Sequence, residues 1–470
     1  MLCTSQTLHR YVCDLKEWIA SIFRPLSSDD PQRIHIISGL NSDSGANLNA
    51  SLPVVDMIED TLYGKGSETS RVDESQLHQA LAECRVRKST AEIELMAYVS
   101  YISSLAHVAV MRDAKPGDQS RHVQSLLRPP CTMRLASCMW RIVPFSTLSA
   151  LSSRVAPSFV AGMFEYQLEA KFLFEVHYNF GARHHAYTPI CACGPSGATL
   201  HYGHAGAPND RQLGDDDMAL LDMAAEYHCY ASDITCSFPL SGSFSPDQRL
   251  VYEGVLGAQR AVLTAMRPGV SWLALHEVAL RQILSALRKG GVLRRDASLD
   301  EMLAAELGAT FMPHGLGHLI GIDTHDVGGY LPGTPARSER PGFRSCRTAR
   351  ILEEGMVLTV EPGCYFIDRL LDEALDSPKL SQFICADTLD RFRGKGGVRL
   401  EDVIVVTADG CSNLTQCPRT CSEVEAVMKG EQWPPTVDTE PWLRRRWAKF
   451  DPSSSRMIGF GGKHQLSPAQ

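Results

Sequence analysis

Three absences narrow what this chain can be. No apolar run reaches the roughly 18–20 residues needed to cross a bilayer, so the sequence predicts no membrane span. Positive charge is not in excess: 46 Lys and Arg stand against 54 Asp and Glu, for a formal net charge of −8. That balance argues against nucleic acid held on a broad basic face. The 15 cysteines are odd in number and include no C-x-x-C pair. Spread over so long a chain they read as reduced thiols, several buried as small apolar side chains, rather than as a disulfide framework. Arg10, Asp14, Lys16 and Glu17 interrupt any signal-peptide core at the start. A cytoplasmic protein is the expectation.

What is present suits a globular chain. Its 470 residues are 44% hydrophobic and 21% charged, enough for two or three domains with a sizeable core. The first 80 residues are weakly organised, with one alternating strand at 33–37 and a loop over 39–45. Regular structure begins at Ser89, where Ser89-Thr90-Ala91-Glu92 has capping-box spacing. Apolar residues then recur at helical intervals until Pro116-Gly117. Ser245-Pro246-Asp247-Gln248 opens a second such helix, which runs to Met266 and stops at Pro268-Gly269, with another helix through 274–287. A segment from Phe164 to Leu173 would complete the first pair if Gly117 and Gly162 were joined. The sequence thus suggests two related halves.

Two segments break this grammar. Residues 118–162 hold eight serines and five arginines, no lysine, and Asp118 as the one acid. Four prolines interrupt every candidate element there. The segment reads as an atypical insertion, disordered or an artefact of the gene model. From Gln432 onward the chain reads as a flexible extension, with Arg444-Arg445-Arg446 as a solvated charge run.

Four stretches concentrate His, Asp and Glu beside predicted strands. Met218–Ala225 and Tyr230–Thr235 read as a hairpin with Asp222 on one strand and Asp233 on the other. Buried carboxylates are costly unless paired or metal-bound, and two neighbours repel unless a cation sits between them. Ordinary hydrogen-bonded strand aspartates are the alternative. His314-Gly315-Leu316-Gly317-His318, then Asp323-Thr324-His325-Asp326, sets imidazoles among glycines that let backbone approach closely. Its glycines argue against the helical H-E-x-x-H zinc site. Val357-Leu358-Thr359-Val360-Glu361 is an apolar strand ending on a carboxylate. Gly396-Gly397-Val398-Arg399-Leu400-Glu401-Asp402 leads acids into another. Together these donors fit an oxygen-rich binuclear site for Mn²⁺, Fe²⁺, Co²⁺ or Zn²⁺ rather than a thiolate site.

The order Asp…Asp…His…Glu…Glu with these flanks resembles the pita-bread metallopeptidases. The strings around Leu200–Asp210, Phe311–Tyr330 and Arg344–Arg350 look like the eukaryotic prolidase branch, over about 84–117 and 162–428. The resemblance implies an α+β pita-bread (creatinase/aminopeptidase-like) catalytic domain over 84–428. A truncated α/β N-terminal domain remnant would precede it at 1–80, and an extension would follow at 432–470.

Carried over by position, the resemblance makes Asp222, Asp233, His318, Glu361 and Glu401 the ligands of two divalent ions, most plausibly Mn²⁺. Asp402 should face the other side of its strand. Thr235 supports the ligands, and His201, His325 and Arg347 face the substrate. Arg347 would hold its terminal carboxylate, while Arg344 and Arg350 read as surface or structural charges. Tyr187 would line the pocket. The implied activity is hydrolysis of Xaa-Pro dipeptides by a metal-bridging hydroxide, with Glu361 as proton shuttle and His325 beside it in catalysis. The substrates are then small peptides, with no nucleic acid or membrane partner, and a homodimer is suggested. Two other readings are aminopeptidase P chemistry on longer peptides and a binding module of the same fold without catalysis.

Overall fold

The computed structural model of this chain describes residues 34–35, 37–39, 72–73, 76–114, 162–202, 209–451 and 456–462. The loop at 40–45, the Pro116-Gly117 stop, residues 118–161 and most of the 1–80 remnant therefore lie outside the described residues. Of the expected strand at 33–37, β1 (Ile34–His35) is present and pairs in parallel with β2 (Val72–Asp73). Helix α1 (Leu77–Val86) was not anticipated. Its N-cap, Gln76, makes no side-chain cap, so no start signal marks it in the sequence.

Helix α2 (Thr90–Asp113) begins at the expected capping box. The Ser89 hydroxyl accepts the Glu92 amide, and Glu92 accepts the Ser89 amide at 2.7 Å, an arrangement that stabilises a helix start by about 1 kcal/mol. Contrary to the sequence reading, α2 is long and apolar enough to cross a membrane by length and composition. Within the fold, 67% of its most apolar window is buried, so it packs as a core helix. Buried Ser100, Ser103, Ser104 and His107 interrupt its apolar run, which is why the run looked too short.

Helix α3 (Glu165–Phe174) continues into a π-helical turn and packs on α2. Six short strands follow: β3 (His184–His185), β4 (Ile190–Cys193), β5 (Met218–Asp222), β6 (Ala225–Tyr227), β7 (Tyr230–Ala231) and β8 (Thr235–Pro239). Strands β4, β5 and β8 form an antiparallel sheet with β5 central. Helix α4 (Pro246–Ala265) starts on its expected capping box at Ser245, and α5 (Trp272–Lys289) packs antiparallel-fashion beside it after the Pro268-Gly269 turn.

A second antiparallel sheet comes from the C-terminal half. Strand β9 (Val357–Val360) is followed by β10 (Gly363–Tyr365), β11 (Gly397–Arg399), β12 (Asp402–Thr407) and β13 (Gly410–Asn413). Strand β12 sits between β9 and β13, and β10 pairs with β11. Each half thus combines a helix pair with a three-stranded antiparallel sheet, the duplication suggested by the two capping boxes. A single cluster of buried apolar side chains joins both halves.

Of the expected flexible extension, residues 432–451 and 456–462 are folded instead, and the rest lies outside the described residues. Helix α6 (Cys421–Met428) leads into a chain that folds back on the body and ends in a hairpin of β14 (Arg446–Asp451) and β15 (Arg456–Gly462). Nor is the arginine run solvated. The Arg445 side chain is 1% exposed, pairs with Glu423 at 2.7 Å and Asp438 at 2.8 Å, and lies against the Trp433 and Trp447 rings. Arg446 pairs with Glu94 of α2. Tryptophan faces and distant acids, not local sequence, remove these charges from water.

Replacing Arg445 with Ala leaves two largely buried carboxylates uncompensated. We expect a loss of about 3 kcal/mol, read as an earlier urea midpoint at an unchanged denaturant slope.

Candidate metal centre

The site begins where two hairpins lose their regular pairing. Strands β5 and β8 run in register from Met218↔Pro239 to Asp222↔Thr235. Beyond that point the ladder loosens: Met223 and Ile234 are joined by one bond of 3.2 Å, and pairing resumes only at β6 and β7. Asp222 closes β5, while Asp233 lies in the gap before β8 rather than within a strand. The period of two puts Asp233 and Thr235 on one face, and Thr235 is the cross-strand partner of Asp222. His107 of α2 fixes the gap from behind. Its Nε2–H donates to the Met223 carbonyl at 2.8 Å, with the Ile234 carbonyl at 3.1 Å.

His318 and Glu361 are brought together by backbone contact. The Glu361 amide donates to the Leu316 carbonyl at 2.8 Å, and the Thr359 amide to that of His318 at 2.9 Å. Glycine makes this approach possible. A Cβ on Gly317 would lie 2.1 Å from the Thr359 carbonyl oxygen. The Nδ1–H of His318 donates to the Leu319 carbonyl at 3.0 Å, leaving Nε2 directed at the carboxylates.

Glu401 occupies the break between β11 and β12, its amide on the Thr235 carbonyl at 3.1 Å. The Thr235 hydroxyl donates to Glu401 at 2.7 Å and accepts from Arg399 Nε at 3.0 Å. The neighbouring Asp402 faces away as expected, toward Arg419 at 2.6 Å and Asn413 at 2.8 Å.

These elements converge on a cavity of about 250 Å³ whose walls include Asp222, Asp233, His318, Glu361 and Glu401. His201, His325 and Arg347 line the same space, so the eight residues expected as ligands or substrate contacts meet in one place. Asp233, His318 and Glu401 each offer a ligand atom within 4.8 Å of the others. Asp233 Oδ2 lies 3.3 Å from His318 Nε2, and Glu361 Oε1 lies 3.8 Å from that nitrogen. His325 sets its ring edge-on to His318, centroids 4.5 Å apart.

The electrostatics call for a cation. Burial, then the charges of Asp233, Glu361 and Asp222, pushes Glu401 well above the ordinary carboxylate range despite Arg399. Burial and Asp222 raise Asp233 against the pull of His318. Burial would lower His318, but its bond to Asp233 and the nearby acids lift it to about 8. Asp233 Oδ1 is buried and has no hydrogen-bond partner. An orphaned carboxylate oxygen among four acids and an oriented imidazole fits a divalent metal, and the oxygen and nitrogen donors suit a hard or borderline ion.

Several contributors were not recognised in the sequence. Arg399 is fully enclosed, donates to Asp222 at 2.7 Å and reaches the Tyr365 hydroxyl at 3.0 Å. That hydroxyl meets His314 Nε2 at 3.0 Å, since His314 Nδ1–H is committed to the Gly315 carbonyl. The one available signal was an arginine inside an apolar strand beside an acid. Tyr187, expected to line the pocket, is not among the residues of the cavity wall; its hydroxyl instead donates to Asp222 at 2.5 Å. Arg344 is exposed, and Arg350 is a structural charge paired with Glu83 at 2.5 Å.

The carboxylate–imidazole cluster lies among the antiparallel sheets of the two α+β halves. Residues 94–408 match metallopeptidase family M24, and the chain belongs to that family. It is 43% identical over 422 residues to the Xaa-Pro dipeptidase of Homo sapiens, covering 90% of this chain and 73% of that one. Identity to a probable Xaa-Pro aminopeptidase of Coccidioides posadasii is 35% over 359 residues, 75% of this chain and 65% of that one. Among solved structures, Pseudomonas aeruginosa aminopeptidase PepP superimposes with a TM-score of 0.63 at 29% identity, covering 90% of this chain and 75% of its own.

Because Thr235 links Glu401 to Arg399, Thr235→Val should weaken metal binding about tenfold or more. Titration of metal-free protein with Mn²⁺ measures this. Unchanged affinity would mean that Thr235 does not orient Glu401.

Proposed function

We propose that the chain hydrolyses Xaa-Pro dipeptides and releases the C-terminal proline. The observation that carries this reading is the joint presence of the acid–imidazole cluster and the Arg347 guanidinium on the walls of one small cavity. At about 250 Å³ the space is below the roughly 300 Å³ at which drug-sized pockets begin, which suits a substrate of two residues. The resemblance to Xaa-Pro dipeptidases along most of the chain supports the same substrate.

Asp222, Asp233, His318, Glu361 and Glu401 would hold two divalent ions, with Mn²⁺ suited to this carboxylate-rich set. When bound, such ions lower the pKa of water and polarise the scissile carbonyl. Glu361 takes the proton of the attacking water and passes it to the leaving proline nitrogen. The Thr359 hydroxyl, 3.5 Å from Glu361 Oε1, helps keep that carboxylate in place. His325 and His201 orient the peptide and donate toward the carbonyl oxygen as negative charge develops there. Arg347 receives the terminal carboxylate, for which a planar guanidinium is the best match. Glutamate suits the shuttle because it can bind a proton in one step and release it in the next.

The reading extends to a cytoplasmic homodimer, and the free thiols of the eleven described cysteines are consistent with a reducing compartment. Purified, Mn²⁺-loaded protein should cleave Gly-Pro, and Glu361→Gln should lower kcat at least about 100-fold. Arg347→Met should raise KM for Gly-Pro at least about tenfold, the scale of a lost charge-assisted contact. Folded, metal-loaded protein that leaves Gly-Pro intact would overturn the reading. Cleavage of Gly-Pro-Ala in preference to Gly-Pro would move it to an aminopeptidase.

A further inference from the structure

We propose that the buried ion pair between Lys88 and Asp326, braced by Arg85, is a positioning device that holds His325 against the acid–imidazole cluster. This deepens the dipeptidase reading and rests on it. His325 sits in a stretch, 321–329, that forms no helix or strand. The stretch is held by isolated bonds rather than a ladder: the Asp326 amide donates to the Leu319 carbonyl at 2.8 Å, the Gly321 carbonyl accepts from Ala231 at 2.9 Å, and the Thr324 hydroxyl donates to the Ala186 carbonyl at 3.2 Å.

The residue immediately after His325 adds a buried tie. The Asp326 carboxylate is 1% exposed, and both its oxygens are committed. Oδ2 accepts from Lys88 Nζ at 3.0 Å, and Oδ1 accepts from Arg85. Arg85 also bonds Asp323 at 2.6 Å, so one guanidinium grips the loop on both sides of His325. Lys88, at 2% exposure, is as deeply enclosed as its partner. The pair is packed onto the backbone with no slack: a Cβ on Gly321 would lie 2.5 Å from Asp326 Oδ2 and 2.8 Å from Lys88 Cε. Downstream, Arg350 pairs with Glu83 and donates to the Gly328 carbonyl at 2.6 Å. Three residues of one short segment, Glu83, Arg85 and Lys88, therefore anchor both ends of the loop.

A buried ion pair adds little stability compared with well-packed apolar residues, but removing one member leaves the other charge stranded. Its effect is geometric, and here the geometry is that of the adjacent imidazole. None of the three residues lines the cavity. They act through His325.

The test is a double-mutant cycle. Lys88→Met and Asp326→Asn are made in the wild-type chain and in His325→Ala, with Arg85→Met as a milder variant that removes a single cation. Gly-Pro hydrolysis, bound metal and hydrogen exchange of the 321–329 amides are measured on the full chain. We expect kcat to fall about tenfold for Lys88→Met and Asp326→Asn and about threefold for Arg85→Met, with KM within twofold and metal content unchanged. In the His325→Ala background the same changes should move kcat less than twofold. Amides of 321–329 should exchange at least tenfold faster while those of β9 and β12 are unaltered. Equal losses of kcat in both backgrounds would overturn the proposal, as would unchanged exchange in the loop. A wild-type chain inactive on Gly-Pro defeats the dipeptidase reading instead, and the exchange result then decides the positioning role alone.

Discussion

Repulsion among carboxylates enclosed in one small cavity is the constraint around which the rest of this structure is arranged. Asp222, Asp233, Glu361 and Glu401 share a space of about 250 Å³, and at such separations in a poorly polarisable interior each unit charge costs its neighbours dearly. The protein offsets part of that cost itself. Arg399 pairs with Asp222, Tyr187 and Thr235 donate to Asp222 and Glu401, and His318 approaches Asp233. What remains is an uncompensated pull on positive charge, and the buried, unpartnered oxygen of Asp233 shows where it is directed.

Holding the acids this close requires backbone that is not regular. Each hairpin that supplies ligands is interrupted at the ligand: β5 gives way after Asp222, β8 begins only after Asp233, and Glu401 falls between β11 and β12. The broken positions leave carbonyls and amides that a ladder would have used. Other elements take them up, His107 from α2 on one side and Arg419 on the other, which donates to the carbonyls of Thr235 at 2.9 Å and Glu401 at 2.6 Å. The burial of α2 thus serves the site as well as the core, because its polar residues are where the interrupted strands find partners.

This division explains what could be read from the sequence. Capping boxes at Ser89 and Ser245 are local, involving residues three apart, so both helix starts were legible. The acids and histidines that line the cavity were legible because such residues inside apolar runs are chemically conspicuous, and because their order carried a family resemblance. Arg399, Tyr365 and His314 form a chain whose members are 34 to 51 residues apart. No spacing rule connects them. Arg445 was misread for the same reason: a triplet of arginines looks solvated until Glu423, Asp438 and two indole rings surround one of them. Helix α1 offered no cap, and its role became visible only once its partners on the 321–329 loop were known.

The acids themselves divide by how completely the protein satisfies them, and that division separates structure from chemistry without reference to their position in the chain. Asp402 is as buried as any ligand, yet Arg419 and Asn413 occupy both its oxygens. Asp326 is equally enclosed and equally satisfied, by Arg85 and Lys88. Each is already neutralised by a cationic side chain, and each sits one residue from a group that faces the cavity. Asp233 differs: one oxygen meets an imidazole that could itself be a ligand, and the other has no hydrogen-bond partner. A buried carboxylate with complete protein partners fixes geometry, since any movement would strand its charge. One with incomplete partners is an invitation to a metal. The alternation of the two kinds, Glu401 beside Asp402 and His325 beside Asp326, is how a set of mutually repelling groups is held rigid enough to act as a site.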